Sequence, residues 1–207
     1  MVTDHQTSER VYTSLKIGIL RGSIAGHLQI PGLAAFHGTS TTPVREAILR
    51  LVGERLVTLR AGGGFATVIR DEFEIRALYE FNMRLALLAV SWSRDHEDAS
   101  EPFPSASSGL DPPIDRFFSI LAARTGNAHL AAVTSSINDQ LHRARQAEKT
   151  ELSGLDGEFS ALDTLVRTKA FPRLGPVLRA YHRRRMKIAD RIARKIQLDD
   201  LLVLPSR

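Results

Sequence analysis

The residues best suited to chemistry lie between positions 38 and 68, GTSTTPVREAILRLVGERLVTLRAGGGFATV. Ser40, Thr41 and Thr42 set hydroxyls directly before Pro43, and arginines recur at 45, 50, 55 and 60. Hydroxyls and guanidinium groups contact phosphates and base edges, and the first turn of a helix adds free amides and the positive end of its dipole. Such a helix offers its N-terminal residues to a DNA groove. The glycines at 62, 63 and 64 would form a tip able to approach a nucleic-acid backbone closely, with Arg60 beside it.

Elements able to position these groups can be read from periodicity. Val11, Leu15 and Ile19 recur every four residues after Ser8, an N-cap candidate, and Gly22 closes that first helix. Leu33, Ala34 and Phe36 suggest a brief second helix ended by Gly38. A third runs from about Thr42 to Gly53, with Pro43 in its first turn and Val44, Ile48, Leu51 and Val52 on one stripe. LVTLR and FATVI then flank AGGG as a hairpin. Two helices joined by a tight turn and followed by a glycine-tipped hairpin form a winged helix-turn-helix. The expected DNA contacts are Ser40, Thr41, Thr42, Arg45, Arg50, Arg60, Gly62 and Gly64.

Beyond residue 70 the pattern is helical throughout, so the fold class is mainly α: a winged head at 1–70 and an all-α bundle at 71–207. A long helix after Asp71 carries apolar residues at 75, 78, 81, 85, 88 and 92, read as its buried stripe. HEDASEPFPSASSGLDPP, at 96–113, is rich in proline, serine and glycine and reads as an irregular loop. Further helices are expected at 114–125, 128–149, 157–169 and 172–196. The tail LDDLLVLPSR could either dock or fray.

The formal charge is +5, and residues 1–70 supply most of it, with eight Lys/Arg against four Asp/Glu. A basic head on a near-neutral body suits a polyanion partner. The absence of cysteine excludes disulfides, thiolate metal sites and a cysteine nucleophile. The polar start MVTDHQTSER and the lack of a long apolar run point to a cytoplasmic protein with no membrane partner. No phosphate-cradling glycine loop or nucleophile elbow is present, so no enzyme activity is expected.

The run LAAFHGTSTTPVREAILRLVGERLVTLRAGGGFATV resembles the N-terminal domain of the GntR family of bacterial transcription regulators. Ser40, Thr42, Pro43, Val44, Arg45, Glu46, Ala47, Leu51, Leu56, Val57 and Gly64 fall in register with that family's recognition helix and wing. The resemblance implies a homodimer that binds a palindromic double-stranded operator, acts as a repressor and is released by a small organic acid. Thr41 departs from the pattern, standing where the family usually has arginine. That loss removes a strong guanine or phosphate contact. The alternative is a helical ligand-binding or interaction protein whose head no longer binds DNA.

The C-terminal half resembles the FCD effector domain of the fatty-acid-regulator subgroup through EFNMRLALLAVSW and IDRFFSILAARTGN. The resemblance implies a pocket arginine at Arg84 and effector residues at Asp115, Ser119, Phe159 and His182. Such domains hold a metal with one aspartate and three histidines. In this chain the aspartate is Asp115, Ser119 replaces the first histidine, Phe159 stands at or beside the second, and the third is Tyr181 or His182. One carboxylate and one imidazole fall short of a three-ligand site, so no metal and no cofactor is expected. Asp115 could instead cap its helix, and the basic run 179–195 reads as a solvated face beside a stripe of Tyr181, Ile188, Ile192 and Ile196.

Overall fold

The computed structural model describes residues 4–95 and 113–203, so the irregular segment expected at 96–113 lies, except for its last residue, outside the described residues. In order the elements are α1 (Asp4–Arg21), β1 (His27–Leu28), α2 (Ile30–His37), α3 (Thr41–Gly53), β2 (Val57–Leu59), β3 (Phe65–Thr67) and α4 (Glu72–Asp95). They continue with α5 (Pro113–Ala123), α6 (Ala128–Glu151), α7 (Leu155–Arg167), α8 (Phe171–Met186) and α9 (Ala189–Val203). The fold is mainly α, a winged helix-turn-helix with a helical C-terminal part. Contacts divide the chain into two units, with borders at Ile69/Arg70 and, within α9, at Lys195/Ile196.

The first unit closes on one apolar core. Val11, Tyr12, Leu15 and Ile19 of α1 meet Ala34 of α2 and Val44, Ala47, Ile48 and Leu51 of α3, with Leu28, Leu56, Val57 and Phe65 from the strands. The α3 positions are spaced i, i+3, i+4, i+7, so one helical face is buried and the other is left free. The strand order is β1-β3-β2, all antiparallel. β1 escaped the sequence reading because a two-residue strand has no alternation to detect. Its His27 and Leu28 pair with Ala66 and Phe65.

In the helical unit α4 packs against α8, α6 and α5, while α5 lies on α6 and α7 on α8. The buried residues of α4 include Ile75, Tyr79, Asn82, Met83, Ala86, Ala89 and Val90. This corrects the expected stripe: Phe81, Leu88 and Trp92 face outward, whereas the polar Asn82 faces in. Assigning every large apolar residue to the core shifted the phase of the helix. The expected single helix at 172–196 is likewise two, α8 and α9. The break at Lys187–Ile188 is closed by Ile188 N donating to Arg185 O at 3.1 Å, a three-residue step, and no glycine or proline announces it. Nor is the basic run simply solvated, because Arg185 is among the most buried side chains of the protein.

Candidate nucleic-acid interface and the buried ion cluster

α2 ends at Gly38, whose φ of +60° suits glycine, and its amide reaches back to the carbonyls of Ala34 and Ala35. Gly38, Thr39 and Ser40 make the turn into α3. Ser40 occupies the N-cap with extended backbone, yet its side chain makes no capping hydrogen bond. Pro43 is buried in the first turn, where it forfeits no helical hydrogen bond. Burial of Val44, Ala47, Ile48 and Leu51 therefore leaves Ser40, Thr41, Thr42, Arg45, Glu46 and Leu49 exposed along the other face. Sequence reasoning missed Leu49. It is an apolar side chain four residues after Arg45, where an exposed helix face would ordinarily be polar.

The hairpin pairs Val57 with Thr67, Thr58 with Ala66 and Leu59 with Phe65. Arg60 N donates to Gly64 O at 3.1 Å and Gly63 N to Arg60 O at 2.9 Å, which closes the tip. Gly63 and Gly64 have φ of +86° and +81°, a region that favours glycine, whereas Gly62 is not among the positive-φ glycines. A side chain at Gly64 would also sit 3.0 Å from His27 Nε2. Arg60 is exposed at the entry to this tip.

Arg50 does not join the exposed face of the first turn. Its NH1 donates to Glu9 Oε2 at 2.7 Å, and its guanidinium lies 3.5 Å from the ring centroid of Tyr12, both on α1. Tyr12 in turn donates to Glu54 Oε1 at 2.6 Å, and Lys16 reaches Glu54 Oε2 at 2.9 Å. The reason is geometric: five residues after Arg45 a helix has turned by about 140°, so Arg50 clamps α3 to α1.

The helical unit contains a second concentration of chemistry, and it is buried. Arg145 NH1 donates to Asp115 Oδ1 and, at 2.9 Å, to Asn138 Oδ1, while its NH2 reaches Asn82 Oδ1 at 3.2 Å. His142 Nδ1 lies 3.2 Å from the other Asp115 oxygen. Deeper along α6, Glu148 accepts from Tyr79 and, at 2.9 Å, from Arg185 Nε. Arg185 also pairs with Glu158 at 2.9 Å and stacks 3.4 Å from the Tyr181 ring. Burial opposes the Arg185 charge, but Tyr181, Glu148 and Glu158 outweigh it and hold its pKa above the ordinary guanidinium value. Burial and the neighbouring Glu148 push Tyr79 and Tyr181 upward, so both phenols stay protonated.

Among the expected effector residues, Asp115, Ser119 and His182 belong to this cluster. Ser119 Oγ donates to Asp115 O at 3.0 Å and accepts from Asn138 Nδ2 at 3.0 Å. His182 sets Nε2 2.9 Å from Asn82 Oδ1 and Nδ1 2.7 Å from Leu178 O. Burial, reinforced by Arg145 and Arg185, lowers its pKa to about 3, so the ring is neutral. Phe159 is half-buried on α7, and its neighbour Glu158 supplies the carboxylate to Arg185. Arg84 is the correction: its side chain is 68% exposed and paired at 3.4 Å with Glu80, one turn back on α4. Among the described residues Arg145 and Arg185, not Arg84, are the buried cations.

A metal does not fit these residues. The Arg145 guanidinium already neutralises Asp115, Ser119 turns its hydroxyl to a carbonyl, and Phe159 has no donor. No group of three or more His, Cys, Asp or Glu among the described residues is placed to hold one. Asp115 is not a helix cap either, since both its oxygens face α6 partners.

Residues 7–66 match the family described as bacterial regulatory proteins, gntR family. None of the curated proteins matches the chain significantly. A GntR transcriptional regulator structure from Rhodococcus sp. RHA1 superposes with a TM-score of 0.70 at 18% identity, over 88% of this chain and 96% of the other. McbR/YncC of E. coli gives 0.59 at 20% identity, over 91% and 98%. Lar, which controls expression of the Listeria monocytogenes agr system, gives 0.52 at 17%, over 89% and 96%. These likenesses extend through both units and show a shared fold.

Proposed function

We propose that the protein is a DNA-binding transcription regulator of the GntR type, acting in the cytoplasm as a homodimer and without enzymatic activity. The observation that carries the reading is the division of α3. Its inner face is fixed in the core, and its first turn leaves Ser40, Thr41, Thr42 and Arg45 exposed, in a unit that also carries a glycine-tipped wing with Arg60. Hydroxyls, α3 amides and Arg60 position the head on phosphates, while Thr41, Thr42 and Arg45 read base edges. Two heads on a palindromic operator then match the two-fold symmetry of the dimer.

In this reading the helical unit is an FCD-like body that pairs the subunits and senses a small carboxylate. Asn82 Nδ2, Arg145 Nε and the Tyr181 hydroxyl are buried without a hydrogen-bond partner, and these donors replace Arg84 as the groups able to receive an anion. Effector binding shifts the spacing of the heads and lowers operator affinity, which makes the protein a repressor. Titration of labelled DNA from upstream of its own gene, by fluorescence anisotropy at several salt concentrations, tests the core of the proposal. The expected result is sequence-selective binding that weakens steeply with salt. Binding that is undetectable or insensitive to salt would overturn it, in favour of a ligand-binding or interaction protein.

A further inference from the structure

The outward face of α3 has an apolar residue near its centre. Val44, Ala47, Ile48 and Leu51 point into the core of the head. Each residue turns the helix by about 100°, so the direction opposite to that buried stripe falls within about 30° of Leu49, between Arg45 and Glu46. Leu49 is 51% exposed there, whereas Val52, at the margin of the stripe, packs against the core. Thr42 stands on nearly the same line about two turns earlier, and Arg45 lies about one turn earlier. A face meant only for water has no use for leucine at its centre.

We infer that Leu49 is a base-reading residue of the head and that its base is thymine, contacted through the C5 methyl group in the major groove. Leucine has no hydrogen-bond donor or acceptor in its side chain, so it is blind to the polar pattern that distinguishes the base pairs. The thymine methyl is the apolar group that this groove presents. Set against cytosine N4, adenine N6 or guanine O6, the same side chain strips water from a polar atom and returns no hydrogen bond, which weakens binding. Leu49 therefore favours thymine and disfavours the other bases at one position. The helix rises about 6 Å from Arg45 to Leu49, which sets this thymine within about two base pairs of the base that Arg45 contacts. The role rests on the proposed function, since Leu49 meets a base only if the first turns of α3 enter the groove.

Selection from a random duplex library with the full chain supplies a preferred site, and its thymines are then replaced one at a time by deoxyuridine, which deletes only the methyl group. Fluorescence anisotropy is expected to find a thymine whose conversion weakens wild-type binding about three- to ten-fold, the scale of a buried methyl group. Leu49→Ala should lose a similar factor on the thymine duplex and bind the thymine and uracil duplexes equally, because the contact is already gone. Far-ultraviolet circular dichroism confirms that the variant is folded. A selected site with no methyl-sensitive thymine, or a methyl effect that survives unchanged in Leu49→Ala, would overturn the inference while the proposed function stands. Failure of the wild type to select any site would overturn the proposed function, and this role with it.

Discussion

Arg145 and Asp115 are joined inside the helical unit, NH1 donating directly to Oδ1, with both side chains nearly removed from solvent. A lone charge in that position is costly, whereas the pair is close to neutral in its effect on stability. Arg145→Met is therefore expected to cost about 3 to 5 kcal/mol, because Asp115 loses its cation. Asp115→Asn combined with Arg145→Met should recover more than half of that loss. Urea unfolding of the single and double variants measures it, and additive losses would show that the two residues act separately.

His182 gives the fold a pH dependence of known sign. Its ring is neutral in the folded protein, with a pKa of about 3 set first by burial and then by Arg145 and Arg185, against an ordinary value of 6.5. Between those values the unfolded chain takes up a proton that the folded chain refuses. The contribution of His182 is thus complete above pH 6.5 and declines by about 1.4 kcal/mol per unit as the pH falls toward 3. His182→Gln should flatten the decline between pH 7 and 5, where it amounts to about 2 kcal/mol in the native chain. Urea midpoints across that range decide it, and parallel slopes for the two proteins would assign the effect to another group.

How much of this was legible in the sequence differs between the units. In the head, Val44, Ile48 and Leu51 mark the buried side of α3 by apolar periodicity, so the exposed side, with Thr41, Thr42 and Arg45, followed from it. In the helical unit that logic placed Ile75 and Leu85 correctly in the core of α4 but sent Phe81, Leu88 and Trp92 inward and Asn82 outward. Hydrophobicity cannot register that Asn82 is a partner for Arg145 and His182, groups 63 and 100 positions away. One signal was available. Thr134, Asn138, His142, Arg145 and Glu148 recur at three- and four-residue steps in phase with Leu130, Ile137 and Leu141, so α6 displays polar groups where a core face should be apolar. The pairing of Arg50 was hidden for a simpler reason: its partners Glu9 and Tyr12 lie on α1, a contact that spacing within α3 cannot reveal.

Arg45 and Arg50 should accordingly part company when replaced. Arg45→Ala is expected to lower specific operator affinity by about 1 to 3 kcal/mol and leave the melting temperature unchanged. Arg50→Ala removes the stacking on Tyr12 and a half-exposed ion pair with Glu9, costing about 1 kcal/mol of stability while base selectivity is retained. Anisotropy titrations against matched and mismatched sites, together with thermal melts of both variants, separate the two roles. Loss of selectivity in Arg50→Ala would return that residue to the reading face.

Arg55 tests a different property of the head, the turn that launches the wing. Leu56 N donates to Leu51 O and Arg55 N to Val52 O, each at 3.0 Å, the paired bonds that end a helix through one left-handed residue. Arg55 is that residue, with φ of +60°, where a side chain costs about 1 to 2 kcal/mol and glycine pays no steric penalty. Glycine also enlarges the freedom of the unfolded chain, which takes back about 0.5 to 1 kcal/mol. Arg55→Gly should therefore stabilise the protein by up to about 1 kcal/mol. Arg55→Ala keeps the Cβ and so the strain, and it should give no gain. Thermal melts of the two variants distinguish backbone strain from charge: equal effects would mean that the guanidinium, and not the left-handed backbone, governs this turn.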